Sequence, residues 1–285
     1  MADQTLNFQS ITPAIGEEVC GFDITGTTDA QAAAMRARLA DRKVLVFRGQ
    51  TASPAEFARF MHHFGEPAPE DLQVEEGNPP EVGAIHIRPS ERQTINFWHQ
   101  DHTFREIQTP VLALYANMLP PCGGDTLFTN LEAAYDALPD ETKQRIAGLH
   151  TLHKVTVTQN TRRRQTEEEI AAYETAPAVR HPLVARNPEN GRPYLLVNVP
   201  IYCRSIAEMP GPEGYALLAE LYAHSSRPEF HFRLTWKPGT LIVWDNARTL
   251  HYPVADYFPH ERRLWRVVIK GTERPVAASS IVRSD

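Results

Sequence analysis

The sequence is short of several things that would direct it to a membrane, an oxidising compartment or a nucleic acid. It has three cysteines, Cys20, Cys122 and Cys203, an odd number with no C-x-x-C pair. A disulfide framework and a four-thiolate zinc cluster are therefore not expected, and a reducing cytoplasm is. No apolar run reaches the roughly 20 residues that a bilayer-spanning helix needs. The opening Met1-Ala2-Asp3-Gln4 lacks the basic stretch and apolar run of a signal peptide, so none is expected. The 29 Lys and Arg residues are scattered and outnumbered by 35 Asp and Glu, leaving a formal net charge of −6. That distribution argues against a nucleic-acid partner, and no long acidic tail argues for disorder. No repeat at a fixed period is visible. What is present is 285 residues with 42% hydrophobic content, enough for one large core. A single domain over 1–285 that acts on a small molecule is the expectation.

Along the chain, residues 5–25 read as two short strands with a turn. Thr27, Thr28 or Asp29 can cap an Ala-rich helix over 30–41. Val44-Leu45-Val46-Phe47 reads as a buried strand. Ser53, Pro54 and Glu56 give a strong start signal for a second helix that runs to about Phe64. Residues 66–94, rich in Pro, Glu and Gly, read as a long loop or lid. Strands are expected at 95–99, 111–117 and 126–129, and helical segments begin near Asn130 and Pro139. The stretch 155–177, with Arg162-Arg163-Arg164 and Glu167-Glu168-Glu169, reads as a solvated, partly helical excursion. The second half returns to strands at 181–185, 193–199, 229–236, 240–244 and 264–270, with a helix from Glu213 to Ser225. Short strands at both ends with inserted helices predict a mainly β, α+β fold: a double-sheet jelly roll, not βαβ units.

The most informative segment is Asn96-Phe97-Trp98-His99-Gln100-Asp101-His102. In a strand, residues i and i+2 share a face, so His99 and Asp101 would project together. A further histidine would complete a two-His-one-carboxylate triad with open positions on the metal. A lone H-x-D occurs by chance, and a surface histidine bonded to a nearby aspartate accounts for it equally well. Downstream, however, an apolar strand, 241–244, runs into Asp245-Asn246, and His251 follows it. Of the twelve histidines, His251 alone stands between such a strand and a strand with paired arginines. In that last strand Arg262 and Arg266 share a face, about 13 Å apart along the chain. Alone they would pass for two surface arginines. Beside the three candidate ligands they suggest an anion site, since a guanidinium can grip a carboxylate or sulfonate through two bonds.

These segments, in this order and spacing, closely resemble the taurine dioxygenase family, which also includes phenoxyacetate-herbicide and alkylsulfate dioxygenases. The resemblance runs through Ile11-Thr12-Pro13, Gly21-Phe22-Asp23, Val44-Leu45-Val46-Phe47-Arg48, Phe64-Gly65-Glu66 and Trp98-His99-Gln100-Asp101. It continues through Gly123-Gly124-Asp125-Thr126, Leu196-Val197-Asn198, Trp244-Asp245-Asn246, His251-Tyr252 and the Arg262, Arg266 pair. It implies a double-stranded β-helix (jelly-roll, cupin-like) core and an Fe(II)- and 2-oxoglutarate-dependent dioxygenase using O2. His99, Asp101 and His251 would hold the metal. Thr126 and Arg262 would hold the distal carboxylate of 2-oxoglutarate, and Arg266 would reach an anionic group of the substrate. Oxidative decarboxylation to succinate and CO2 would accompany hydroxylation of a substrate C–H bond. Halogenation is not expected, because relatives that halogenate lack the carboxylate at Asp101. The family's dimers or tetramers imply a homo-oligomer.

On the substrate side the sequence departs from the taurine enzyme, which carries a histidine shortly after Phe-Gly-Glu. Here the stretch is Pro67-Ala68-Pro69-Glu70-Asp71. Asn96, His102, Ile201 and Tyr202 are the candidate substrate contacts, and 155–168 is a candidate lid. A small sulfonate, sulfate ester or carboxylate is the expected substrate class. Asn246 and Arg248 are expected to support the metal-bearing turn. Eight further histidines, His62, His63, His150, His153, His181, His224, His231 and His260, are expected to be structural or surface residues. Three other readings stay open: a secondary-metabolism tailoring oxygenase with the same cofactors, a non-catalytic cupin-like binding protein, and a zinc hydrolase. The last would need neither Thr126 nor Arg262.

Overall fold

The computed structural model describes residues 6–69, 72–159 and 165–278. Seven strands form the larger sheet, in the order Asn7–Ser10, Glu17–Cys20, Val44–Phe47, Leu241–Asp245, Val111–Met118, Arg262–Val268 and Gly83–Ile87. Every neighbouring pair is antiparallel except Glu17–Cys20 with Val44–Phe47. A three-stranded sheet, His231–Leu234, Thr126–Asn130 and Thr249–Pro253, lies against it. Val44, Val46, Leu112, Ile242 and Trp244 of the larger sheet meet Phe128, Phe232 and Leu234 of the smaller one in a shared core. Two facing, mostly antiparallel sheets with helices outside make the jelly roll that the strand pattern predicts.

The outer face of the larger sheet is covered as well. Leu45, Phe47, Leu241 and Val243 pack against Met35 and Leu39 of the helix Asp29–Arg42 and Phe57 and Phe60 of the helix Pro54–Met61. Burial on both faces is why Val44–Phe47 and residues 241–244 read as unbroken apolar runs and not as alternating ones. Both helices start as their sequences predict. Thr28 and Gln31 form a reciprocal capping box, and Ser53 and Glu56 form another with Pro54 at the first position. Ser53 lies at the surface, so Ser53→Ala should lower stability by about 1 kcal/mol through the lost cap alone. Chemical denaturation should report that loss with unchanged metal binding.

Helix Asp29–Arg42 ends at Lys43, whose φ of 66° is left-handed. Its ammonium is fully buried, 2.7 Å from Glu132 on the helix Leu131–Asp136. Asn187 donates to the same carboxylate at 2.6 Å, and Arg192 lies 3.3 Å from it. The charges are matched and bonded, as buried ions must be. Helices Asp140–Ile146, Glu167–Thr175 and Pro212–Ser225 complete the helical cover. No helix among the described residues is long and apolar enough to cross a membrane.

The structure departs from the sequence expectations in four places. The stretch 66–94 is not wholly a loop, because Gly83–Ile87 forms the last strand of the larger sheet and pairs with Arg262–Arg266. Glu75 in the same stretch accepts bonds from Arg263 at 2.8 Å and from Trp265 at 3.0 Å, clasping it to the outer face of that strand. The predicted strand 95–99 is absent; only His99 makes a bridge, to His251. The predicted strand 193–199 stops at Leu195. Two short strands unseen in the sequence, His150–His153 and Cys203–Ile206, pair with each other, and His150–His153 also pairs with Val179–Pro182. Arg162, Arg163 and Arg164, and also Glu70 and Asp71, lie outside the described residues.

Candidate metal centre and cosubstrate pocket

The site starts from a backbone pairing. His99 donates its N–H to the carbonyl of His251 at 2.9 Å, and His251 donates to that of His99 at 2.7 Å. Residues that exchange both bonds across an antiparallel pair carry their side chains on the same face. The two imidazoles accordingly lie with ring centroids 4.1 Å apart. His251 also opposes Phe128 on its other side, with stacked rings 6.1 Å apart, and Trp244 lies 5.4 Å from it. Those contacts put the histidines between the two sheets.

Asp101 completes the cluster. One ligand atom each from His99, Asp101 and His251 lie within 4.8 Å of one another, and His99 Nε2 is 3.5 Å from Asp101 Oδ1. His99 Nδ1 donates to the Phe97 carbonyl at 3.0 Å. A carbonyl can only accept, so Nδ1 carries a proton and Nε2 is the nitrogen directed at the carboxylate. Burial pushes His251 down to about 3, helped by neighbouring His99 and opposed by Asp101. Burial would raise the Asp101 carboxyl, but His251, His99, His102 and Arg266 outweigh it and hold it at about 2. At neutral pH His251 is thus a neutral imidazole and Asp101 an ionised carboxylate, both of them donors that a ferrous ion takes in facial-triad sites.

Side chains, not a strand, hold the ligand segment. Asn246 accepts from the Asp101 N–H at 3.1 Å and donates to the Asp101 carbonyl at 3.0 Å and to that of Thr109 at 2.9 Å. Tyr222 donates to the Trp98 carbonyl at 2.7 Å, and His181 to the Thr103 carbonyl at 2.9 Å. Asn246 carries the expected support. Tyr222 went unnoticed in the sequence, and His181 was read there only as structural or surface, because nothing local signals such distant contacts. Arg248 reaches Asp245 at 3.0 Å and so braces the turn before His251.

A second cluster of candidate binding residues gathers around Arg262. Arg262, Leu264, Arg266 and Val268 alternate on one strand, and Leu264 and Val268 belong to the intersheet core. Arg262 is 3% exposed, and its Nε has no hydrogen-bond partner among the described residues. No carboxylate there lies within ion-pair distance of it. Burial lowers its pKa, with Tyr257 and Asp125 partly opposing. Its guanidinium carbon sits 5.6 Å from the Trp236 ring and 5.7 Å from that of Tyr257. Trp236 donates to Thr126 Oγ1 at 3.1 Å, which leaves the threonine proton available to a ligand. Thr126 opposes Pro253, two residues beyond His251 on the paired strand. That is about 7 Å of strand rise, comparable to an extended five-carbon diacid. Gly124 has φ +71°, and a Cβ there would come within 3.2 Å of Arg262 and Tyr257. Only glycine lets the turn lie this close to the arginine.

The residues predicted to meet substrate are spread more widely. Arg266 Nη1 is 3.5 Å from Asp101 Oδ2, beside the candidate metal ligands. His102 has φ 61° and is buried, with Nδ1 2.8 Å from Thr109 Oγ1. Its ring meets Phe104 edge-on at 5.9 Å; Phe104 in turn lies 6.0 Å from Tyr202 and 5.9 Å from Tyr173 of the helix Glu167–Thr175. Ile201 and Tyr202 accept backbone bonds from Thr156 and Lys154, which ties them to the start of the 155–177 excursion. Asn96 is exposed and lines a cavity of about 220 Å³ with Gln93, Tyr257 and Phe258.

Comparison with known proteins agrees with this geometry. The model of the taurine catabolism dioxygenase TauD, TfdA family matches residues 7–268. Pentalenolactone F synthase of Streptomyces avermitilis is 32% identical over 281 residues, covering 90% of each chain. The alpha-ketoglutarate-dependent 2,4-dichlorophenoxyacetate dioxygenase of a Burkholderia species is 28% identical, covering 87% of this chain and 88% of its own. Among solved structures, AAD-2 in complex with Mn(II) and N-oxalylglycine superposes with a TM-score of 0.80 at 28% identity, covering 96% of this chain and all of that one.

Proposed function

The chain belongs to the taurine catabolism dioxygenase TauD, TfdA family, and on that footing we propose that it is an iron(II)- and 2-oxoglutarate-dependent dioxygenase that hydroxylates a C–H bond of a small anionic molecule. His99, Asp101 and His251 hold the metal, and Arg262 with Thr126 holds the distal carboxylate of 2-oxoglutarate. The observation that carries the reading is the His-Asp-His cluster, with both histidines buried and Asp101 half-buried, accompanied by a buried arginine that meets no carboxylate among the described residues. A zinc hydrolase has no use for that arginine.

Bound iron supplies the redox chemistry with dioxygen, one oxygen atom entering the substrate as hydroxyl and the other entering succinate as 2-oxoglutarate loses CO2. The protein's own part is placement. The His99–His251 backbone pair fixes two ligands, and the Asn246 amide fixes the backbone of the third. Arg262 and Thr126 anchor the cosubstrate at its far end, so its keto acid end is directed at the metal. Burial between the sheets keeps water from the site and strengthens each charge interaction there.

Arg266, beside Asp101, is positioned to receive the anionic group of the substrate, which favours a sulfonate, sulfate ester or carboxylate. The test is succinate release from 2-oxoglutarate across alkylsulfonates, sulfate esters, aryloxyalkanoates and their uncharged counterparts. Anions should be preferred. For the best of them, Arg266→Ala should raise the substrate Michaelis constant at least about tenfold, a loss of about 1.4 kcal/mol. An unchanged constant would remove Arg266 from the substrate site. A second reading, oxidation of a larger secondary metabolite, is supported by the similarity to pentalenolactone F synthase and by the half-buried rings of Phe104, Tyr173 and Tyr202. In either case we read the protein as a cytoplasmic homo-oligomer, a dimer or tetramer, which sedimentation would test.

A further inference from the structure

We propose that Asn198 is a positioning residue for the metal-ligating carboxylate, acting on Asp101 through the backbone of Gln100. The inference rests on the reading of Asp101 as a metal ligand. His99 lies in a backbone ladder with His251, but the chain turns away immediately afterwards, and Gln100 and Asp101 have no strand partner among the described residues. Asn198 supplies one. Its Oδ1 accepts from the Gln100 N–H at 3.2 Å, and its Nδ2 donates to the Gln100 carbonyl at 2.9 Å. The same Nδ2 donates to Thr103 Oγ1 at 2.9 Å, and Oδ1 also accepts from the Val199 N–H at 2.8 Å.

Those four bonds use the amide's whole capacity, and the residue is 4% exposed. A backbone N–H can only donate and a carbonyl can only accept, so Gln100 also fixes which way the amide points. Asn246 treats Asp101 in the same manner. Two side-chain amides, from distant parts of the sequence, thus stand in for a neighbouring strand at consecutive residues. The Gln100 side chain does not share this work: it is fully buried, and neither of its amide atoms has a partner among the described residues. The backbone dihedrals at 100 and 101 decide where the Asp101 carboxylate lies relative to the two imidazoles. Constellations of this kind tolerate displacements of only about 0.5 Å.

Mn(II) titration of the apo protein, followed by the EPR signal of the free ion, tests this directly. Asn198→Ala should weaken Mn(II) binding about 10- to 100-fold, the range seen when groups that orient metal ligands are removed, and should alter the line shape of the bound ion. Thr103→Val, nearly isosteric, deletes one bond to the Asn198 amide and should shift affinity the same way by less. Tyr115→Phe is the control for lost stability. It removes a buried hydroxyl's bond to Gln50 on the outer face of the larger sheet and should leave affinity within about twofold. Folded Asn198→Ala with wild-type affinity would overturn the proposal. If that variant does not fold, unchanged affinity in Thr103→Val would do so. Asp101→Ala separates the two levels. Unchanged Mn(II) affinity there would defeat the ligand reading itself, whereas a loss there with none in Asn198→Ala defeats only the role of Asn198.

Discussion

Arg262→Met should weaken 2-oxoglutarate binding by about 30- to several-thousand-fold and, at the same time, raise the melting temperature of the apo protein. The first effect follows from removing one partner of a desolvated charge pair, which costs about 2–5 kcal/mol, at 1.4 kcal/mol per tenfold. The second follows from what surrounds the arginine without cosubstrate. Its guanidinium is buried against Trp236 and Tyr257, its Nε is unpartnered among the described residues, and burial already lowers its pKa. A methionine of similar length would keep those ring contacts and remove a charge that costs several kcal/mol to desolvate. The Michaelis constant for 2-oxoglutarate and apo-protein calorimetry check the two halves. A structural arginine would give the reverse result, with little change in cosubstrate binding and a lower melting temperature.

Asp101→Ala should lose metal affinity by more than about a hundredfold, and succinate formation should fall below about 1% of wild type. Groups that merely orient ligands are worth 10- to 100-fold, so the ligand itself must exceed that range. The aspartate is also the only anion among the groups shaping its own ionisation; His251, His99, His102 and Arg266 all favour its charged form. Its removal takes from the Arg266 guanidinium the carboxylate that offsets its repulsion of a dication. Inductively coupled plasma analysis of protein dialysed against Fe(II) under argon reads the loss. The fold should survive, because Asp101 lies in an irregular turn and contributes no strand pairing. Near-stoichiometric iron in folded Asp101→Ala would take Asp101 out of the metal centre.

How much of this was legible in the sequence depends on whether the signal was local. The caps at Thr28 and Ser53 are written within four residues of each helix start, and both helices begin there. Val44–Phe47 and residues 241–244 are apolar throughout because both of their faces are covered, and that composition marks them as central strands. Gly83–Ile87 was hidden because it is short, follows a Pro-rich segment and gains its strand pairing from Arg262–Arg266, far along the chain. The segment before His99 misled for a different reason. Its apolar residues suit a strand, but here Tyr222 holds the Trp98 carbonyl, and beyond His99 the backbone is held by Asn198 at Gln100 and Asn246 at Asp101, contacts that no local pattern encodes. The same holds at 193–199, where strand pairing ends at Leu195 and Asn198 turns its amide to Gln100 instead. At the candidate centre, the spacing of His99 and Asp101 suggested a shared face, and the structure does bring them together with His251, though through a turn and not through a strand. Arg262 and Arg266 do lie on one face, as alternation requires, and their different company, aromatic rings for one and Asp101 for the other, could be seen only in three dimensions.

Anaerobic mixing of the apo protein with Fe(II) and 2-oxoglutarate probes the centre most directly, through the weak visible charge-transfer band of a ferrous ion chelated by a keto acid. The wild-type chain should develop that band, saturating at one iron per chain, and His251→Ala should develop none. A wild-type chain that stays colourless, or a His251→Ala variant that keeps the band, would contradict a ferrous centre built on these three side chains.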